Sequence, residues 1–226
     1  MKRFPFFFLW IVFSYALVGS LPLSASSDSR MVKDFSENPV GKFPSDFRTY
    51  PFQRGKAATV YSVRMEGDNL FLKATVAGAT QGTAVQVFKR FDWDLTQWPK
   101  LSWRWRADSL PSPPAGSREH FDDNACGVYV VFGGYGGKAI KYIWSTDLPA
   151  GTVKEDTPGK FFVVVAASGA KERGEWQTVA VNVVDEYRRL FKVAPSRNPS
   201  GIGLLTDGDG THSPAICDYD DFRLSK

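Results

Sequence analysis

The chain has 226 residues, of which 43% are hydrophobic and 15% aromatic, so it can form a sizeable hydrophobic core. It contains 28 basic and 24 acidic residues, which gives a formal net charge of +4. The basic residues form no dense cluster, and we therefore expect no nucleic-acid partner.

The first 26 residues have the composition of a secretory signal peptide. Lys2 and Arg3 precede an apolar run over 4–18, and small residues at 24–26 offer a cleavage site. The alternative is an uncleaved membrane anchor, but the run is shorter than the roughly 20 residues that span a bilayer. We expect cleavage near residue 26, leaving residues 27–226 as one periplasmic or secreted domain with no membrane span.

Short runs rich in β-branched and aromatic residues follow this segment, separated by Gly, Pro, Asp and Asn. These runs predict strands at 31–36, 59–65, 69–76, 83–91, 100–107, 127–134, 138–145, 160–168, 176–184, 201–206 and 216–224. The pattern favours an all-β fold: a jelly-roll-like β-sandwich of about 10–12 strands, of the kind found in galactose-binding and carbohydrate-binding modules.

One short helix is predicted over 183–192. Tyr187, Leu190 and Phe191 recur at i, i+3 and i+4 spacing, and Asp185 can cap the start. We expect this helix to be a surface turn packed on one end of the sandwich.

The predicted strand over 100–107 places two arginines on one face. Trp103 and Trp105 point to the opposite face from Arg104 and Arg106, because side chains alternate along a strand. The arginine face is solvated, or forms buried ion pairs, or binds a ligand. In the strand over 138–145, Tyr142 belongs to an aromatic face on which a sugar ring could stack.

The two cysteines, Cys126 and Cys217, lie far apart in the sequence, each in a strand-like run. Export permits a disulfide between them, which would tie the middle of the chain to its last strand. Two buried free thiols are the alternative.

No established catalytic motif is present in the sequence. The chain has two histidines, His120 and His212, and lacks a nucleophile elbow, a zinc-protease helix and a phosphate-binding loop. We therefore assign no catalytic residue, and leave enzymatic activity open with a preference against it.

The stretch TDGDGT places Asp207, Asp209 and Thr211 at alternate positions. A regular EF-hand is excluded, because predicted strands flank the loop and Asp218 occupies the position of the final glutamate. We favour a turn whose carboxylates cap backbone N–H groups and whose glycines have positive φ. A Ca²⁺ site at Asp207 and Asp209 is the alternative.

Several motifs together resemble the bacterial exported family known as domain of unknown function 3047, over about residues 32–224. In order, they are PKLSWRWRADSLP, FDDNACGVYVVF, IKYIWS, VVVAASG, EWQTVAVNVVDEYRRLF and GIGLLTDGDGTHSPAICDYDDFRL. The resemblance implies an exported, mostly β protein with no established activity. It also draws attention to Trp103, Arg104, Trp105, Asp122, Asp123, Asp207, Asp209 and Thr211. The family usually has Arg where this chain has Gly127.

These residues combine into one hypothesis. Asp122, Asp123, Asp207 and Asp209 converge near Arg104 and Arg106, either as ion pairs that lock the sandwich or as a pocket that binds an acidic or neutral glycan.

We expect a non-catalytic, carbohydrate-binding-like module of the bacterial envelope, whose partner is a polysaccharide or cell-envelope glycan. The alternatives are a glycan hydrolase or lyase that uses Asp carboxylates, and a structural or protein-interaction module.

Overall fold

The structure is a computed structural model that describes residues 28–77, 84–112, 123–133 and 136–226. The expected signal peptide, Asp122 and His120 lie outside these ranges. Within them, no helix is long and apolar enough to cross a membrane.

The predicted all-β class is confirmed. The strands are β1 (Ser29–Lys33), β2 (Arg48–Thr49), β3 (Tyr61–Glu66), β4 (Asn69–Val76), β5 (Val87–Arg90), β6 (Lys100–Ser109), β7 (Asn124–Phe132), β8 (Lys138–Ser145), β9 (Val153–Thr157), β10 (Phe161–Ser168), β11 (Gln177–Asn182), β12 (Pro199–Asp207) and β13 (Ala215–Ser225). Two α-helices, α1 (Arg54–Val60) and α2 (Val183–Phe191), occur among the described residues where the sequence predicted one.

The strands form two sheets. The six-stranded sheet has the order β11-β6-β13-β4-β3, and β1 also pairs with β13. The seven-stranded sheet has the order β2-β5-β12-β7-β8-β10-β9. The strand pairs of this sheet are antiparallel except for β8 with β10, which run parallel. The inner faces of both sheets contribute to one core.

The tryptophan face of β6 lies at the centre of this core. Trp103 and Trp105 are fully buried, and their rings contact each other edge to face at a centroid distance of 5.4 Å. The Trp103 ring also contacts Tyr142 of the facing sheet at 5.5 Å. The alternation in β6 therefore places rings and arginines on opposite faces, as the sequence predicted, and the structure shows that the rings face the core.

Helix α2 begins one turn earlier than the predicted cap implied. The Asn182 side chain accepts hydrogen bonds from the backbone N–H groups of Val184 and Asp185 at 3.1 and 3.2 Å. Asp185 lies in the first turn, so its prediction as the cap was wrong. Asn182 itself has an extended backbone, which is the conformation that the residue capping a helix start requires.

A disulfide joins Cys126 of β7 to Cys217 of β13, across a sequence separation of 91 residues. Both cysteines are completely buried. Because the two strands belong to different sheets, the bond links the two halves of the sandwich covalently.

Candidate functional site

Arg104 and Arg106 lie on the outer face of the six-stranded sheet, and carboxylates of β13 neutralise both. Arg106 donates to one oxygen of the fully buried Asp218 through Nε at 2.9 Å and Nη2 at 2.8 Å. Arg104 contacts Asp220 at 2.9 Å and Asp221 at 2.7 Å. This arrangement matches the ion-pair alternative for the arginine face.

A bulge in β13 allows two consecutive aspartates to reach the same arginine. Neighbouring residues of a regular strand point to opposite faces, but the pairing of β13 with β6 shifts register between Asp220 and Arg223, and Asp221 has a φ of 50°. Burial raises the pKa of Asp220 to about 6, and the Asp221 carboxylate adds to the rise, while Arg104 opposes it.

Further contacts complete a network on this face. Arg106 also pairs with Glu66 at 3.0 Å, and Lys73 pairs with Asp108 and, at 3.4 Å, with Asp218. The Trp176 ring lies 5.0 Å from the Arg104 guanidinium and 4.8 Å from that of Arg106. With charges paired and rings stacked against them, these arginines stabilise the sheet.

The TDGDGT loop is a turn closed by carboxylate caps. Asp123 accepts hydrogen bonds from the backbone N–H of Gly210 at 3.2 Å and from that of Thr211. Asp207 accepts from the N–H of Asp209 at 3.0 Å, and Asp209 accepts from that of Ala84 at 3.2 Å. The preferred turn interpretation matches these contacts.

The glycines of this turn do not have the positive φ that was predicted for them. Gly208 is not among the positive-φ residues, whereas His212 has a φ of 50°. Gly208 is required because a Cβ there would lie 2.1 Å from the carbonyl oxygen of Ser213. Burial raises the pKa of Asp207, and the Asp123 charge adds to the rise.

The predicted site residues therefore separate into different places. The arginines lie on the outer face of one sheet, whereas Asp123, Asp207, Asp209 and Thr211 close a turn at the end of β12 in the other. The predicted convergence of Asp123, Asp207 and Asp209 on Arg104 and Arg106 is not what the contacts of the described residues show. Tyr142, predicted to bind ligand, is 1% exposed and faces the core, because its alternation partners Ile140 and Trp144 are core residues.

A Ca²⁺ site at Asp207 and Asp209 finds no support in the donor set. Each carboxylate caps a backbone N–H, and the described residues contain no group of three or more His, Cys, Asp or Glu side chains placed to hold a metal ion.

Gly127 occupies a position where no side chain fits. A Cβ there would lie 2.7 Å from Asn124 Oδ1, 2.8 Å from the carbonyl oxygen of Leu205 and 3.2 Å from Cε of Lys141. The buried Lys141 fills this space from the neighbouring strand, and its charge lowers the pKa of Asp207 against the effect of burial. Lys141 thus supplies a cation beside the position where the resemblance implies an arginine.

The outer face of the seven-stranded sheet carries features that the sequence reasoning missed. The cross-strand register aligns Phe88 of β5, Gly203 of β12, Tyr129 of β7 and Lys141 of β8 in one row. Tyr129 stacks on Phe161 of β10 at a centroid distance of 5.9 Å. Aromatic rings therefore flank a glycine in the middle of the sheet.

Two more rings extend this row beyond β5. Tyr50 contacts Phe88 edge to face at 6.0 Å and stacks on Phe52 at 5.7 Å. Phe52 is 79% exposed and Tyr50 is 36% exposed. We call Phe52, Tyr50, Phe88, Tyr129 and Phe161 the aromatic row.

A cavity of about 240 Å³ lies beside Tyr50 and Phe88. Glycines supply much of its lining, namely Gly133, Gly136, Gly137, Gly201 and Gly203. A second depression of about 510 Å³ shares Gly133, Gly136 and Gly137 with it. The GIG sequence in β12 was the available signal, because alternate glycines in a strand indicate close approach of a backbone or a ligand.

The remaining evidence comes from comparison with known proteins. The sequence profile of the family described as "Protein of unknown function (DUF3047)" matches residues 45–223. No curated protein matches the chain.

Among solved structures, one similar protein is a family 29 carbohydrate-binding module from Piromyces equi, with 12% identity, a TM-score of 0.36, and coverage of 89% of this chain and 91% of that chain. Another is a family 28 module specific for non-crystalline cellulose, with 10% identity, a TM-score of 0.40, and coverage of 86% and 92%. A third is the family 12 xyloglucanase from Bacillus licheniformis, with 7% identity, a TM-score of 0.41, and coverage of 87% and 99%.

Proposed function

We propose that this chain, which belongs to the family "Protein of unknown function (DUF3047)", is a non-catalytic glycan-binding module whose ligand lies across the outer face of the seven-stranded sheet. The observation that carries the proposal is the aromatic row beside a glycine-lined cavity. Flat apolar rings with nearby hydrogen-bonding groups are the recognition chemistry that a sugar ring requires.

The lining of the cavity is suited to a flat, hydroxyl-bearing ligand. Gly203 leaves the backbone of β12 uncovered beside the cavity, so a ring can approach closely, whereas Gly201 is required by the close packing of β12 against Lys89. Gln86 and Ser200 line the same cavity and offer an amide and a hydroxyl to sugar hydroxyls. The rings provide stacking, and the polar groups provide orientation.

The partner in this proposal is a polysaccharide or cell-envelope glycan, and the compartment is periplasmic or secreted. The Cys126–Cys217 disulfide supports the compartment, because such bonds persist in oxidising environments. Fractionation of the expressing bacterium, with mass measurement of the intact protein, tests this part. Cytoplasmic protein that retains residues 1–26 would contradict it.

A glycan array probed with the purified protein tests the binding proposal. We expect binding to a subset of glycans, and a Kd roughly 30-fold weaker for Phe88→Ala or Tyr50→Ala, because truncating a central aromatic residue costs about 2 kcal/mol. Met65→Ala is the control, because Met65 is 60% exposed on the six-stranded sheet, away from the aromatic row.

Two outcomes would overturn the proposal. Absence of glycan binding would favour the structural or protein-interaction alternative. Release of reducing ends from a bound polysaccharide, abolished in Asp207→Asn, would favour the hydrolase alternative.

A further inference from the structure

We propose that the glycan is anionic and carries carboxylates, as a polyuronate does, and that Arg90 and Arg197 bind those carboxylates. This inference rests on the proposed function and specifies the ligand class of the same surface. Its basis is the charge of the two neighbouring depressions that share the floor of Gly133, Gly136 and Gly137.

The charged residues that line these depressions are all basic. Lys89 and Arg90 line the first, and Lys138 and Arg197 line the second. No Asp or Glu occurs among the described residues of either lining. A surface with one sign of charge around a concave site raises the local concentration of ligands with the opposite sign.

Both lysines among these four cations make close contacts within the protein. Lys89 forms a salt bridge with Asp46 at 2.7 Å. The ammonium group of Lys138 lies 4.5 Å from the centroid of the Phe191 ring. These two residues therefore have less capacity to bind an added anion.

The two arginines have no acidic partner in the described part of the chain. Arg90 is exposed, and its guanidinium lies 5.8 Å from the centroid of the Phe88 ring, a member of the aromatic row. Arg197 is also exposed, and its Nη1 lies 3.8 Å from the point where a Cβ on Gly133 would be. Arg90 thus lines the first depression, and the Arg197 guanidinium borders Gly133.

This placement fits a uronic acid better than a neutral sugar. A guanidinium binds a carboxylate through two parallel hydrogen bonds, and this geometry distinguishes carboxylate from hydroxyl. A sugar ring stacked on Tyr50 would leave its carboxylate at the edge of the sugar, and Arg90 lies over the Phe88 ring that Tyr50 contacts edge to face. Arg104 and Arg106 cannot substitute, because Asp218, Asp220 and Asp221 neutralise them on the opposite sheet.

The test compares polygalacturonate, alginate and hyaluronan with their carboxyl-reduced forms, which keep the same linkages but carry no charge. Affinity electrophoresis or calorimetry with the purified protein measures Kd for each pair. We expect at least one acidic polymer to bind roughly tenfold more tightly than its reduced form at low salt, since hydrogen bonds between charged groups are stronger than neutral ones.

Arg90→Gln and Arg197→Gln are the test variants, and each should remove most of the preference for the acidic form while retaining binding to the reduced form. Arg64→Gln is the matched control, because it removes the same charge from an exposed position on the six-stranded sheet. Loss of the preference in Arg64→Gln as well would show a net-charge effect and overturn the proposal.

The outcomes separate this inference from the proposed function. Equal binding of acidic and reduced polymers, or tight acidic binding unchanged in both test variants, would overturn the anionic ligand and leave glycan binding intact. Failure to bind any glycan, neutral or acidic, would overturn both.

Discussion

Asp218 holds together the ion-pair network on the outer face of the six-stranded sheet. It is completely buried, and Arg106 and Lys73 both contact its carboxylate. Burial raises the pKa of Asp218, while the hydrogen bonds from Arg106 and the charge of Lys73 oppose that rise. A buried carboxylate is tolerated only when cations and hydrogen bonds compensate for its lost hydration.

We predict that Asp218→Ala lowers the free energy of unfolding by about 3 kcal/mol or more, because it removes the only fully buried carboxylate that pairs with Arg106 among the described residues. Urea denaturation monitored by tryptophan fluorescence measures the change. Asp185→Ala is the control, because Asp185 is 66% exposed and its pair with Arg188 should contribute less than about 1 kcal/mol. Equal effects of the two substitutions would contradict the assigned role of Asp218.

Asp220 gives the sheet a defined pH dependence. Its folded-state pKa is raised to about 6 from the ordinary value of 3.8, so the folded state holds the proton more tightly than the unfolded state. The stability that this group contributes is therefore present at low pH and is lost as pH rises from about 4 to 6.

We predict that Asp220→Asn changes the pH profile of stability in that window. The difference in unfolding free energy between the variant and the natural protein should shift in favour of the variant from pH 4 to pH 7, by on the order of 2 kcal/mol. Denaturant titrations at pH 4, 5, 6 and 7 measure this shift. A difference that is constant over the series would show that Asp220 does not titrate there.

At the scale of secondary structure, the start of α2 shows how a local sequence pattern can indicate the wrong capping residue. Asp185 and Asn182 both have side chains suited to capping, and the sequence pattern favoured Asp185. The backbone determines which residue is the cap. Strand β11 ends at Asn182 in an extended conformation, so the N–H groups of Val184 and Asp185 point toward the Asn182 side chain.

We predict that Asn182→Ala lowers the free energy of unfolding by about 1 kcal/mol, whereas Asp185→Ala lowers it by only about 0.3 kcal/mol. Thermal or urea unfolding of both variants measures the difference. Asn182→Asp should restore most of the lost stability, because aspartate is also a good cap. A larger loss in Asp185→Ala would contradict the observed cap.

Strand prediction was most reliable for the buried strands and least reliable at the edges. The strands β6, β8 and β10 coincide closely with their predicted runs, because their apolar residues alternate or cluster. The strand β9 was missed because VKEDT is mostly charged, which is typical of an edge strand. The helix α1 was missed because RGKAATV contains a glycine and β-branched residues, which are weak helix formers.

For the whole molecule, the disulfide is the principal covalent constraint. It closes a sequence separation of 91 residues and connects the two sheets within the core. Constraining so long a loop removes much conformational freedom from the unfolded chain.

We predict that a Cys126→Ala/Cys217→Ala variant has a free energy of unfolding lower by about 3–5 kcal/mol. Adding a reductant should lower the stability of the natural protein similarly and leave the double variant unchanged. Urea titrations with and without the reductant measure both effects. A natural protein that is unaffected by full reduction would contradict the role of the bond.

The sequence by itself determined the all-β class, the family, the alternation that buries Trp103 and Trp105, and the turn formed by TDGDGT. These features depend on local periodicity and on residue types, which the chain expresses directly. Only the tertiary structure decided which carboxylates meet Arg104 and Arg106, that Tyr142 faces the core, and that the aromatic row lies beside a glycine floor. These features depend on which strands pair and in which register, and pairing between residues distant in the chain leaves no periodic signal in it.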